Sequence, residues 1–196
     1  MTTTISGTAG VTFPAGGLGN PAGAVVGTTD TQTLSNKTIQ GGAITSGTAV
    51  ASTSGTSIDF TSIPSYVKRI TVMFGGVSLS STSLPLIQIG PSAVVITGYK
   101  SGTYYAAGSS QVATNGFIFG VPGGVAANTH SGAYTLSLLG SNQWVGSGVA
   151  SVNDGNTGPI MAGGAVTLAG ALTNLRITTV NGTDTFDAGS INILYE

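Results

Sequence analysis

The sequence predicts an all-β fold: an antiparallel β-sandwich of jelly-roll type over residues 51–196, preceded by an extended segment over residues 1–50. Three observations predict it. Short apolar runs rich in β-branched and aromatic residues recur after residue 50, divided by Gly, Pro, Asn and Asp. Several of these runs alternate apolar with polar side chains, the pattern of a strand with one face in a core. No stretch shows the capped 3.6-residue periodicity of an amphipathic helix.

The expected strands are, in order, 57–60, 69–74, 86–89, 94–99, 117–119, 133–138, 144–152, 165–168, 175–180 and 191–195. Pro64, Pro85 and Pro91 punctuate the first four, and Gly116 and Gly120 bracket the fifth. In 69–74, Ile70, Val72 and Phe74 share one face and Thr71 and Met73 the other. In 191–195, Ile191, Ile193 and Tyr195 lie opposite Asn192 and Leu194. Each large apolar side chain turned inward contributes about 1.5–3 kcal/mol. The outward residues Thr71, Thr178 and Asn192 are uncharged, so the outer face sheds water without stranding ions and suits packing between subunits. Asn181-Gly182 reads as a type I′ hairpin turn, which needs positive φ at both central residues. Asn153, Asp154, Gly155 and Asn156 read as a second turn.

Charge is scarce. Five Lys and Arg and six Asp and Glu make 6% of 196 residues, against about 25% in ordinary soluble domains. No apolar run approaches the ~20 residues that a membrane-spanning helix needs. The hydrophobic content of 40% opposes low-complexity disorder. A net charge of −1 leaves no electrostatic footprint for nucleic acid. Without cysteine there is no disulfide framework and no thiolate chemistry, which suits assembly in a reducing cytosol. The opening residues carry neither the basic nor the apolar region of a signal peptide. What remains is a surface of glycine and hydroxyl groups that faces sister copies or a larger assembly.

Residues 1–50 hold two charges, Asp30 and Lys37, and few large apolar side chains, among them Leu34, Ile39 and Ile44, spaced five apart. One such chain cannot bury enough apolar surface to offset its ordering entropy. Two readings stay open: three copies wound together, with Leu34, Ile39 and Ile44 as trimer or virion contacts, or a flexible arm that orders on its docking site. In both, the partner is another protein.

Catalytic material is thin, and the sequence predicts no enzyme, no metal site and no cofactor. The single histidine, His130, has no orienting carboxylate or nucleophile near it in sequence and reads as a turn residue at a strand entrance. Asp184 and Asp187 lack the calcium-loop pattern and read as turn residues that satisfy backbone N–H groups. Arg69 and Arg176 are expected to pair with Asp59 or Asp187. Tyr104, Tyr105 and Trp144, flanked by Ser, Asn and Gln, are candidates for a carbohydrate platform. The competing reading places Trp144 and Tyr134 in the core or in trimer contacts.

The stretch TDTQTLSNKTI at residues 29–39 resembles a linker common in tailed-bacteriophage fibre and virion structural proteins. Residues 53–74 (TSGTSIDFTSIPSYVKRITVMF) and 175–196 (LRITTVNGTDTFDAGSINILYE) are similar to a fibre-type domain of that family. The resemblance implies a homotrimeric virion protein, a tail fibre or a head fibre decorating the capsid. Its N-terminus would dock on other capsid or tail proteins and its β-sandwich would project outward. The alternative is a host-attachment module that binds a surface glycan.

Overall fold

The computed structural model describes residues 44–196, together with the backbone of a short antiparallel ladder, β1 (Ile5–Ser6) with β2 (Gly10–Val11). Two compact units divide the chain, Met1–Gln40 and Gly41–Glu196. The expectation drew the boundary after residue 50. The larger unit starts at Gly41, because β3 (Thr45–Ser46) and β4 (Val50–Ala51) hydrogen-bond to its last strand.

That unit is all-β and antiparallel, as the alternation predicts. A small sheet has the order β10 (Phe117–Ile118), β7 (Pro85–Gly90), β14 (Asn174–Thr179), β5 (Ile58–Phe60). The large sheet begins with β3 and β4 on β15 (Phe186–Tyr195) and continues through β6 (Arg69–Leu79) and β11 (Thr129–Gly140). It is completed by β12 (Gln143–Asn153), β13 (Gly158–Thr167), β8 (Lys100–Tyr105) and β9 (Ser109–Ala113). The chain crosses repeatedly from one sheet to the other, and one core fills the space between them. Ile87, Ile89, Phe117, Leu175 and Ile177 of the small sheet join Ile70, Val72, Phe74, Tyr134, Leu136, Trp144, Ile191 and Ile193 of the large one.

An aromatic cluster sits at its centre. Phe117 packs edge-on against Tyr99 at 5.1 Å between ring centroids and tilted against Tyr134 at 5.7 Å; Phe119 meets Tyr134 edge-on at 5.6 Å and Phe74 tilted at 5.0 Å. The Tyr99 hydroxyl accepts from the Ile89 amide (2.8 Å) and donates to the Ile89 carbonyl (3.2 Å). Its burial pushes the phenol up to about 12. On the far side of the small sheet, Leu84, Leu86, Ala113 and Ile118 form a second small cluster, and every residue of β7 is buried.

Two expected local elements differ. Residues 94–99 are not a strand. They carry the chain from the small sheet to the large one: the Val95 amide returns to the Ile89 carbonyl (3.0 Å), and Gly98 turns the chain at φ 84°. Asn181-Gly182 is not a hairpin, because β14 and β15 belong to different sheets. The Asn181 side-chain oxygen accepts from the amides of Thr183 (3.0 Å) and Asp184 (3.1 Å) and fixes the crossover instead. The tight two-residue hairpin lies at Ser141 and Asn142, both at positive φ (48° and 59°), between β11 and β12. The other expected turn holds: Asp154 adopts φ 63° where β12 returns as β13.

Candidate functional site: an uncharged sheet face

Strand alternation turns half of the large sheet's side chains away from the core. Register then lines them up across the sheet. One outward row runs through Asn192 of β15, Met73 of β6, Ala133 of β11, Val149 of β12, Met161 of β13, Tyr104 of β8 and Ser110 of β9. Within it Val149 is 60% exposed, Met161 55% and Tyr104 43%. The adjoining row runs through Leu194, Thr71, Thr135, Ser147, Gly163, Gly102 and Val112. Neither row contains a charged residue. Charge enters the face one row further on, at Arg69 and Lys100, with Ser137, Val145 and Ala165 between them. The two rows therefore mix large apolar side chains (Met73, Val149, Met161 and Tyr104 in the first, Leu194 and Val112 in the second) with small or polar ones, and cations enter in the row beyond.

Of the sequence-predicted carbohydrate residues, Tyr104 alone lies on this face. Tyr105 points inward, buried, and its hydroxyl donates to the Thr157 carbonyl (3.0 Å). Trp144 is 1% exposed within the core, at the opposite end of the sheet from Tyr105, since it pairs with Val166 whereas Tyr105 pairs with Ile160. The three form no common exposed platform; strand alternation separates the adjacent tyrosines. Leu34 and Ile39 lie outside the described residues. Ile44 is exposed near Arg69, Thr71, Leu194, Tyr195 and Glu196.

His130 is the second residue of β11 and is buried, a correction to the turn reading. Its Nδ1 lies 3.2 Å from the Val77 carbonyl, and Nε2 has no hydrogen-bond partner within the chain. It adjoins a cavity of about 10 Å³ beside Asn128, Ser83 and Val125. Burial lowers its pKa below the usual histidine value, and the Val77 bond opposes this weakly. Asp184 is a turn residue: one carboxylate oxygen accepts from the Ser83 amide (2.9 Å) and the other from the Asn181 side chain (2.7 Å). Arg176 forms the expected pair with Asp59 through two bonds, 2.7 and 3.1 Å, which raise its pKa further. Arg69 pairs with Glu196 and not with Asp59 or Asp187, because Asp59 lies on β5 of the small sheet and Asp187 at the other end of β15, beside the residue that faces Leu79, whereas Glu196 lies beside Arg69. Among the described residues no three His, Cys, Asp or Glu side chains gather in one place.

The two outward rows thus present an uncharged surface. Comparison of the chain with protein-family models, curated proteins and solved structures finds no match.

Proposed function

We propose that this chain is a non-enzymatic structural protein of a tailed-bacteriophage particle, a homotrimeric fibre of the tail or the capsid. Residues 1–50 dock on other virion proteins, and the β-sandwich projects from them. The observation that carries the reading is the pair of uncharged outward rows on the large sheet. A soluble domain that stands alone normally covers such a face with charge, and this chain has hydroxyls, glycines and exposed Val149, Met161 and Tyr104 there. The resemblance of residues 29–39, 53–74 and 175–196 to phage fibre proteins supplies the kind of assembly.

Electron microscopy of purified particles tests it. The expected result is projecting density of three-fold symmetry that disappears when the gene is deleted. Particles that lack the protein altogether, with the chain left in the host cytoplasm, would count against the reading.

A further inference from the structure

We infer that residues 121–128 form a lid over His130, and that the lid opens when the imidazole takes up a second proton at Nε2. The device lies within one chain and needs no assembly.

A carbonyl only accepts, so the 3.2 Å contact with Val77 puts the neutral ring's proton on Nδ1 and leaves the lone pair on Nε2. Nε2 has no hydrogen-bond partner within the chain, and the residue is 4% exposed. The cavity it borders, about 10 Å³, has room for one water at most, and Leu79, Leu84, Pro85 and Val121 give it apolar walls. Among the described residues no carboxylate lines it. Asp184 is held by the Ser83 amide and the Asn181 side chain, Asp154 by the Thr129 hydroxyl (2.7 Å), and Asp187 of β15 is exposed. β6 and β12 face the histidine with Val77 and Val152. In the closed form an imidazolium would give up its hydration and meet no counter-charge.

Two strips of chain cover the cavity, and they are anchored differently. Residues 80–84 are tied to the sandwich by backbone: the Ser80 amide donates to the Thr185 carbonyl (2.8 Å), and the Val180 amide to the Leu84 carbonyl (3.0 Å). Residues 121–128 have backbone bonds only among themselves, Gly124 to Val121 (2.9 Å) and Asn128 to Val125 (3.0 Å), among the described residues. Bonds that involve a side chain attach them to the rest. Ser78 and Ser109 donate to the Ala126 and Pro122 carbonyls (3.2 Å each), and Asn128 and Asn156 exchange two bonds (2.8 and 3.2 Å). A strip held in this way opens at a lower free energy than the paired strands. Once it lifts, water reaches Nε2, and proton uptake there holds the lid open.

Amide hydrogen exchange of the full chain at pH 7.5 and 5.5 tests it, with each rate divided by that of the urea-unfolded chain at the same pH. The Gly124 and Asn128 amides are expected to exchange faster than those of β7 and β14 at both pH values, at rates that low urea leaves unchanged, the mark of a local opening. Their protection falls about ten-fold from pH 7.5 to 5.5, the limit for one proton bound only in the open form by a group of ordinary histidine pKa. His130→Asn can still donate to the Val77 carbonyl but has nothing to titrate, so its lid protection stays the same at both pH values. A wild-type lid as slow as β7 and β14, or one whose protection ignores pH, overturns the inference. So does a variant lid that keeps the wild-type pH response. Should His130→Asn not fold, the wild type alone decides: a loss of lid protection that comes only together with β7 and β14, and grows with urea, is global unfolding and overturns the lid.

Discussion

The Tyr134 ring lies across Gly148, its directly paired neighbour on β12. A Cβ on Gly148 would sit 2.6 Å from the ring, and one on Gly146 only 2.5 Å from it. Both glycines face the core, so the ring occupies space that any other residue would fill.

Gly148→Ala therefore forces the central aromatic cluster to shift. Overpacking of this kind costs about 1–3 kcal/mol. Urea unfolding should show the midpoint fall without a change in slope, and Tyr134→Leu in the same chain should recover part of the loss. Additive effects of the two substitutions would mean that the ring does not rest on Gly148.

His130 makes stability depend on pH. Its pKa is lowered in the fold, so the unfolded chain binds the proton more readily. Its contribution is fully present above the ordinary histidine pKa of about 6.5 and is lost as pH falls from there toward the lowered folded value. His130 is the chain's one histidine, the side chain whose ordinary pKa falls in this range. Between pH 7.5 and 5.5 the wild type should lose stability while His130→Asn loses much less. Equal slopes for the two proteins would show that His130 is not buried neutral.

Trp144 reports on the interior. As the one tryptophan, buried at 1% exposure, it should emit at short wavelength and resist quenching by iodide. Trp144→Ala should cost about 3–5 kcal/mol. Ready quenching in the native protein would return Trp144 to the surface and reopen the carbohydrate platform.

The Arg176 and Asp59 pair is exposed on both sides, and a double-mutant cycle should give it about 0.2–1 kcal/mol, falling with added salt. A coupling that ignores salt would contradict the exposed geometry.

Alternation made much of this fold legible. It located β6, β12, β14 and β15, and it sorted Ile70, Val72 and Phe74 from Thr71 and Met73 correctly. It failed at β8 and β9, where Lys100, Ser101 and Gly102, and Ser109, Ser110 and Gln111, have weak strand preference and become strands through pairing with β13 and each other. Turn chemistry failed in a different way. Asn181-Gly182 suits a hairpin locally, yet β15 is claimed by β6, more than a hundred residues earlier in the chain. The uncharged face was legible only as a tendency of single strands. Its rows join Asn192, Met73, Ala133 and Tyr104 through long-range register, which no local window contains. The burial of Trp144 and Tyr105 has the same origin.

The sharpest test is the native mass of the full chain, by mass spectrometry from non-denaturing buffer over a range of concentrations. The account predicts an assembly of three chains of 19.2 kDa that persists on dilution. A single species of 19.2 kDa at every concentration would contradict it.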